Sequence, residues 1–181
     1  MTGNGNRTLP MIEIFRADIT TLNVDAIVNA ASREFRGGGG VDGAIHRAAG
    51  PDLLQECMRH PELPTGDAIL TGGYRLRARY VIHTAGPIWR GGTEHEGELL
   101  RRAYGSVFAV ARAHADIRSI AFPAISTGVY GFPKHEAASI AVAAMREHEP
   151  HFKRIIACLF SEADARLYED VLGEGRNPRD P

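Results

Sequence analysis

The 181-residue sequence predicts an α/β protein, built as a three-layer α/β/α sandwich around a six-stranded, mostly parallel mixed sheet. Two observations lead to this class. Six short apolar runs rich in β-branched residues are typical of buried strands, and between them lie longer stretches with helical spacing of apolar residues. Strands that alternate with helices in this way form a largely parallel sheet with helices on both faces.

The predicted elements follow one another along the chain with short connections. The strands are expected at residues 11–15, 26–28, 68–71, 80–84, 119–123 and 154–160. The helices are expected at residues 41–49, 51–60, 96–115, 133–148 and 163–172. The third helix has an apolar stripe that includes Leu100, Ala103, Tyr104 and Val107, spaced by three and four residues. Pro133 fits the first position of the fourth helix, where its missing N–H costs nothing.

Length and charge indicate one domain without a strong electrostatic field. We assign the domain to residues 11–172, with a flexible segment at 1–10 and a flexible tail at 173–181. The 21 Lys and Arg nearly balance the 22 Asp and Glu, so no net field draws the protein to nucleic acid or to a membrane. Arg75, Arg77 and Arg79 alternate, and we interpret them as solvated charges along a strand edge rather than as an RNA-binding stripe.

No targeting or metal-binding pattern is visible in the sequence. The first ten residues lack the apolar core of a signal peptide and no stretch is long enough to span a bilayer, so we expect a monomeric, cytoplasmic protein. Cys57 and Cys158 have neither metal-ligand spacing nor the density of a disulfide scaffold, and we interpret both as small buried residues. The eight histidines include no His-Glu-x-x-His pattern. We predict neither a metal ion nor a cofactor.

The most informative segment is a run of four glycines at residues 37–40, followed by Val41 and Asp42 at the start of a predicted helix. Glycines permit positive φ and let a ligand approach the backbone, and the first N–H groups of a helix have no partner inside it. Such donors suit a phosphate. The Asp42 carboxylate would repel that phosphate, so it is either a helix cap or a catalytic group. His46, four residues later, is expected to contact it on the same helix face.

A second loop with similar chemistry follows the fifth predicted strand. Ser126, Thr127 and Gly128 combine hydroxyls and backbone donors, and two such loops indicate a diphosphate ligand. The glycine run fits a dinucleotide fingerprint only formally, because residues 30–36 separate it from the preceding strand. The serine loop half-fits a nucleophile elbow, but Ala124 replaces its first glycine and no Asp and His follow in the required order. After the first strand, Asp18 is interpreted as the cap of a short turn.

Five segments together resemble the macrodomain family, and most closely its MacroD-type branch. They are Ala17-Asp18-Ile19-Thr20, Val28-Asn29-Ala30-Ala31-Ser32, the glycine run continued to Gly50, His83-Thr84-Ala85-Gly86-Pro87, and residues 123–131. Their order and spacing are those of the family over roughly residues 11–172. The resemblance implies a three-layer domain that binds ADP-ribose in a cleft. In this branch it also implies hydrolysis of the ester that joins ADP-ribose to an acidic side chain or to acetate.

The resemblance further implies where the ligand is bound. Asp18 would accept from the adenine 6-amino group, Ile19 would donate its backbone N–H, and Phe160 would stack on the adenine. The two loops would hold the diphosphate, and Tyr130 would flank the distal ribose. The implied ligand-binding residues are Asp18, Ile19, Asn29, Gly38, Gly39, Gly40, Val41, Ser126, Thr127, Gly128, Val129, Tyr130 and Phe160.

The catalytic residues that the resemblance implies are Asp42, Ser32 and Tyr130. The family residue matching Asp42 contacts the distal ribose and orients or activates the attacking water, which explains a carboxylate beside a phosphate loop. Ser32 departs from the branch, whose Asn at this position helps to hold the distal ribose. A serine offers one hydroxyl where the amide offers both a donor group and an acceptor.

Three functions therefore stay open. The first is a hydrolase that removes mono-ADP-ribose from acidic side chains, with O-acetyl-ADP-ribose as a further substrate. The second is a reader that binds ADP-ribose without cleaving it, and the third is a serine esterase that uses Ser126. For the hydrolase and the reader, the expected partner is ADP-ribose or an ADP-ribosylated protein. Nucleic acid is expected as a partner only if it carries ADP-ribose.

Overall fold

The computed structural model describes residues 11–174. The expected flexible segment at residues 1–10 lies outside the described residues, as does most of the expected tail, from residue 175 onward. Gly173 and Glu174, which we assigned to the tail, instead form the end of the last helix.

All predicted strands and helices are present, with ends that differ by a few residues. The strands are β1 (Met11–Arg16), β2 (Ala26–Ala30), β3 (Ala68–Gly72), β4 (Tyr80–Thr84), β5 (Ser119–Phe122) and β6 (Arg154–Leu159). The helices are α1 (Gly40–Ala49), α2 (Pro51–Cys57), α3 (Glu96–Arg112), α4 (Lys134–His148) and α5 (Glu162–Glu174). Pro133 immediately precedes α4 as its N-cap residue, one position earlier than expected. Among residues 11–174, no helix is long and apolar enough to cross a membrane.

The strands form one mixed sheet in the order β1-β6-β5-β2-β4-β3. Five strands are parallel, and β3 pairs antiparallel with β4 at one edge. This confirms the mostly parallel mixed sheet. Because the carboxyl ends of the five parallel strands share one edge, the loops that follow them come together there.

Two apolar cores, one on each face of the sheet, complete the three layers. Alternate residues of a strand face opposite sides, so Ile27 of β2 packs toward α1 and α2 while its neighbour Val28 packs toward α3, α4 and α5. The largest buried side chains, such as Tyr104 and Phe108 of α3, lie in the second of these cores. Full burial of a side chain such as Phe contributes about 1.5–3 kcal/mol. These cores hold the strand ends, and hence the loops, in fixed positions.

Arg75, Arg77 and Arg79 are exposed, as expected for solvated charges, but their expected position along a strand edge is wrong. They lie in the connection between β3 and β4, at residues 73–79, and not along a strand edge. Tyr74 turns the chain with a φ of 52°, and Gly73 donates its N–H to Arg79 at 2.7 Å. A Cβ on Gly73 would stand 1.9 Å from the Ala78 carbonyl oxygen, so this close turn requires glycine.

Candidate active site

A cleft of about 900 Å³ opens at the carboxyl edge of the sheet. Its walls are the loops that follow the five parallel strands. They contribute residues 17–19 after β1, 31–32 and 37–42 after β2, Gly86 after β4, 123–130 after β5 and Phe160 after β6. This is the position at which open α/β sheets bind ligands, and the volume lies in the range of small-molecule sites.

The glycine run forms an uncapped helix N-terminus on one side of the cleft. Gly39 is the N-cap residue of α1 and no side chain caps the helix. Gly37 and Gly40 have φ values of 73° and 57°, which glycine adopts without strain. A Cβ on Gly43 would lie 2.3 Å from the Gly38 carbonyl oxygen, so the loop lies directly on the first helical turn. The first N–H groups of α1 have no partner inside the helix and are available to an anion.

The serine loop faces the glycine run across the cleft. It is closed by hydrogen bonds from Phe132 N–H to the Ser126 carbonyl and from Gly131 N–H to the Gly128 carbonyl, both 3.0 Å. Ser126 has a φ of 66°, and a Cβ on Gly86 would lie 2.2 Å from its Oγ. The loop can therefore approach β4 only because residue 86 is glycine. Among the described residues the Ser126 Oγ has no hydrogen-bond partner, so no histidine activates it as a nucleophile.

Asp42 lies within the first turn of α1, with 7 % of its surface exposed at the cleft. It is not the cap, because Gly39 occupies that position and no side chain makes a capping hydrogen bond to α1. Its Oδ1 accepts a hydrogen bond from Asn29 Nδ2 at 2.7 Å. His46 Nε2 lies 3.5 Å from the same oxygen, which confirms the expected contact one turn along the helix.

Behind Asp42 a row of buried polar side chains fixes its orientation. The register of β2 against β4 pairs Asn29 with His83, and Asn29 Nδ2 lies 3.1 Å from His83 Nδ1. On the far side, His83 Nε2 lies 2.9 Å from Thr71 Oγ1. Burial lowers the pKa of His83 to about 3, so its ring is neutral. Its Nδ1 then accepts from Asn29, and its Nε2–H donates to Thr71.

Asn29 was expected to bind the ligand, but its side chain is 0 % exposed and does not line the cleft. Its amide hydrogens are directed to Asp42 and His83. The inward position follows from strand alternation, which turns the Asn29 side chain toward the layer of α1 and α2. Asn29 is therefore a positioning residue for Asp42 in this structure.

These neighbours keep Asp42 ionised. Burial alone would raise the pKa of its carboxyl, but hydrogen bonds from His46 and Asn29 outweigh that effect and hold the pKa below its usual value. A carboxylate at the cleft wall can accept a hydrogen bond from a hydroxyl group or a water molecule. Its low basicity favours orienting that molecule over holding its proton.

The wall of the cleft also includes two exposed apolar side chains and the Asp18 carboxylate. Phe160 and Val129 are 92 % and 102 % exposed, which is unusual for large apolar side chains. Asp18 caps a 3-10 turn at Ile19–Thr21, as expected, since its Oδ1 accepts from the N–H of Thr20 at 2.9 Å and from the Thr20 hydroxyl at 2.7 Å. Asp18 and Ile19 both line the cleft.

Ser32 and Tyr130 also line the cleft. The Ser32 Oγ is buried and has no hydrogen-bond partner within residues 11–174. Tyr130 is held through its backbone, because its carbonyl accepts from the Trp89 N–H at 2.9 Å. The Tyr130 side chain is therefore available to a ligand, whereas the Ser32 hydroxyl is unpartnered but covered by the protein.

The cysteines and histidines supply no alternative chemistry. Cys57 and Cys158 are free and buried, as expected, and burial raises their thiol pKa values to about 12 and about 11. Neither is a thiolate at neutral pH. In the part of the chain that the structure describes, no three His, Cys, Asp or Glu side chains come together to hold a metal ion.

Sequence reasoning missed Gly86, His83 and Arg47, of which Gly86 and Arg47 line the cleft. Gly86 follows the fourth predicted strand, and this position indicates a loop at the carboxyl edge of the sheet. To assign the loop to the cleft, one must also know that β4 lies beside β2. The role of His83 depends on the same pairing. Arg47, one turn after Gly43 on α1, could have been found from helical spacing.

The fold and the cleft define a three-layer α/β/α domain that presents backbone donors and one ionised carboxylate at the carboxyl edge of its sheet. A family model described as Macro domain matches residues 28–141, and the chain belongs to this family. It is 56 % identical over 165 residues to a macro domain-containing protein of Ralstonia nicotianae, covering 91 % of this chain and 96 % of that protein.

Three further similar proteins have names that refer to ligands or substrates. A Salmonella gallinarum protein named O-acetyl-ADP-ribose deacetylase is 48 % identical over 168 residues, covering 89 % of this chain and 93 % of that protein. The structure of an Oceanobacillus iheyensis macrodomain with ADP matches with a TM-score of 0.84 and 42 % identity, covering 89 % of each chain. A Trypanosoma brucei macrodomain in complex with ADP-ribose matches with a TM-score of 0.82 and 42 % identity, covering 90 % of this chain and 69 % of that one.

Proposed function

We propose that this protein is an ADP-ribose-binding hydrolase that removes mono-ADP-ribose from acidic side chains and deacetylates O-acetyl-ADP-ribose. The names of the relatives support binding and the deacetylase reaction. The step to ADP-ribosylated acidic side chains rests on chemistry, because both substrates are carboxylic esters of the same distal ribose.

The cleft accommodates ADP-ribose in one orientation. The adenine lies at the end with Phe160, where it stacks on the exposed ring, accepts from the Ile19 N–H and donates its 6-amino group to Asp18. The diphosphate lies between the N-terminus of α1 and the serine loop. The distal ribose then reaches Asp42, beside Ser32 and Tyr130.

The energetics of this arrangement are sufficient without a lysine on the phosphates. Micromolar affinity corresponds to about −8 kcal/mol. Each hydrogen bond from a backbone N–H to a charged phosphate contributes about 1.5–3 kcal/mol. Four or five such bonds, with stacking on Phe160, offset the cost of association.

The observation that carries the hydrolase assignment is the ionised Asp42 carboxylate held at the cleft wall by Asn29 and His46. A carboxylate at this position opposes phosphate binding, so we infer that it contacts the distal ribose and not the diphosphate. It accepts a hydrogen bond from a water molecule and directs the water at the ester. The ester bond breaks, and the products are ADP-ribose and a free carboxylic acid. A positioned group of this kind contributes about 10²–10⁴-fold in rate.

The alternative is a reader that binds ADP-ribose and leaves the ester intact, and Ser32 is the observation that favours it. Its hydroxyl is shorter than the Asn amide that the resemblance implies, so the ribose is held by fewer contacts beside Asp42.

The decisive experiment combines calorimetry with ADP-ribose and a de-modification assay on a glutamate-linked ADP-ribosylated target. The wild type should bind ADP-ribose and release the label. Asp42→Asn keeps the shape of the side chain and should bind with similar affinity while turnover falls by about 10² or more. Binding without release by the wild type identifies a reader, and unchanged turnover in Asp42→Asn removes Asp42 from the mechanism. Loss of turnover in Ser126→Ala, with Asp42→Asn fully active, would identify the serine esterase instead.

A further inference from the structure

A second pocket, of about 410 Å³, adjoins the cleft near Asp42. We call it the arginine pocket, and its lining includes Gly37, His46, Arg47, Leu54 and Arg75. Gly37 and Arg47 also line the main cleft, so the two cavities share a wall. The nucleotide orientation proposed above leaves the arginine pocket empty, since the ligand ends at Asp42.

The positive charge at this pocket comes from two exposed arginines of its lining, Arg47 and Arg75. Gly50 joins α1 to α2 with a φ of 87°, and a Cβ there would lie 3.0 Å from the Arg75 Nε, so the Arg75 side chain lies across this glycine. The Arg75 backbone N–H donates to the Ala49 carbonyl at 3.2 Å, which fixes the residue against the end of α1. Arg47 Nη1 lies close to Gly43, near the start of the same helix.

Neither guanidinium is neutralised by a carboxylate within residues 11–174. The ion pairs of this part of the chain engage other arginines, among them Arg33, Arg79 and Arg102. The nearby Glu56 carboxylate does not line the pocket, because it accepts from the Tyr74 hydroxyl at 2.7 Å and from the Gly72 N–H at 3.1 Å. The pocket therefore offers two unpaired positive charges and suits a carboxylate, which an Arg fork binds through two hydrogen bonds.

The position of His46 relates this pocket to the reaction. Its ring lines the arginine pocket, and its Nε2 lies 3.5 Å from Asp42 Oδ1. The pocket thus begins one side chain away from the carboxylate that faces the ester. ADP-ribose occupies the main cleft on one side of that ester bond, so the modified protein must leave the cleft on the other side.

We propose that the arginine pocket binds acidic side chains of the ADP-ribosylated protein that flank its modified residue. This inference rests on the proposed orientation of ADP-ribose. Binding in this pocket gives the protein a preference for modification sites in acidic segments. O-acetyl-ADP-ribose has no flanking residues, so it gains nothing from the pocket. Because the arginines are exposed, the preference should be about two- to fivefold in affinity.

The test uses two peptides mono-ADP-ribosylated on the same glutamate, one with Asp and Glu on both sides and one with Asn and Gln in those places. Affinities are measured by calorimetry in an Asp42→Asn background, so that binding is read without turnover. The protein with Arg75 intact should bind the acidic peptide about two- to fivefold more tightly, and 0.5 M salt should remove the difference.

Three variants locate the effect. Arg75→Gln keeps most of the stem that lies over Gly50 and should abolish the preference, and Arg75→Glu should reverse it. Arg77→Gln, in the same connection but outside the pocket lining, is the matched control and should retain it. The affinity for free ADP-ribose should not change in any of the three.

Equal affinity for the two peptides, or a preference that survives Arg75→Glu, overturns the inference whether or not the protein is a hydrolase. Millimolar inorganic phosphate could remove the preference while Arg75→Glu leaves it unchanged. That result would show that anions act at the diphosphate site, and it would also overturn the inference. Failure of the proposed hydrolase function is seen separately, as absence of label release by the wild type.

Discussion

Ser32 lines the cleft, and its buried hydroxyl makes no hydrogen bond with any other described residue. Its replacement therefore changes ligand contacts without breaking a bond inside the protein. We expect Ser32→Asn to raise the turnover of a glutamate-linked substrate about tenfold, because the amide adds a donor and an acceptor beside the distal ribose. The measurement is kcat in the de-modification assay.

Ser32→Ala is the matched control for this prediction. It should change the free energy of unfolding by less than about 0.5 kcal/mol, since no partner is left unsatisfied. A lower kcat for Ser32→Asn than for the wild type, at equal stability, would contradict the prediction. It would show that Ser32 does not limit turnover of this substrate.

His83 predicts how the stability depends on pH. Its pKa is about 3 in the folded protein because of burial, and about 6.5 in the unfolded chain. Between these values only the unfolded chain binds the proton, so the stability is complete above about pH 6.5 and falls as the pH decreases toward 3. The loss from this residue is about 1.4 kcal/mol per pH unit within that window.

Urea unfolding at a series of pH values from 8 to 5 measures this slope. His83→Gln removes the titrating group and should flatten the curve, although it also lowers the stability at pH 8. His135→Gln, at an exposed position on α4, should leave the curve unchanged. An equal slope in His83→Gln would assign the acid sensitivity to other groups.

At the scale of elements, Asp25 joins three parts of the sheet. It precedes β2, and its Oδ2 accepts from the N–H groups of Arg118 and Ser119, both at 2.8 Å, where β5 begins. Its Oδ1 accepts from Arg79 at 2.8 Å, where the β3 to β4 connection ends. Burial raises the pKa of this carboxyl, but the hydrogen bonds outweigh that effect and lower it.

We expect Asp25→Asn to lower the free energy of unfolding by about 1.5–3 kcal/mol at neutral pH, the contribution of hydrogen bonds to a charged group. Because the folded pKa lies below the unfolded one, this stabilisation is present at neutral pH and is lost as the pH falls below about 4. The variant and the wild type should therefore converge in stability at low pH. Asp116→Asn, which removes the other carboxylate on Arg79, is the control with a smaller effect.

The elements themselves were predictable because their signals are local. Periodicity gives the strands and helices, and the glycine run indicates the start of α1. The arginines at positions 75, 77 and 79 were expected along a strand edge because their alternation resembles a strand, although they lie between the strands predicted at 68–71 and 80–84. In the structure they follow the turn at Gly73 and Tyr74 and belong to the connection. Local patterns also cannot give the order of the strands. The pairing of Asn29 with His83, and with it the support of Asp42, depends on that order.

At the scale of the whole molecule, a ligand in the cleft connects loops from all five parallel strands. ADP-ribose at 100 times its dissociation constant should stabilise the folded state by about 2.7 kcal/mol. For a protein of this size we expect a rise in Tm of about 5–10 °C in a thermal unfolding experiment. No rise at millimolar ADP-ribose would contradict binding at this site.

Phe160→Ala locates the ligand within the cleft. The ring is 92 % exposed, so its removal should leave the Tm of the free protein unchanged. Loss of base stacking, about 1–3 kcal/mol, should reduce the shift at the same ADP-ribose concentration. A full shift in this variant would place the adenine elsewhere.

The division of the cleft wall among five separate loops affects how the protein can diverge. Each loop starts from its own strand end, and only some of its side chains, such as Phe35 and Ile125, belong to the two apolar cores. A substitution in one loop can therefore alter which ester is accepted while the others continue to grip the nucleotide. A single loop substitution, such as Ser32→Asn, can therefore change the accepted target while the rest of the domain stays as it is.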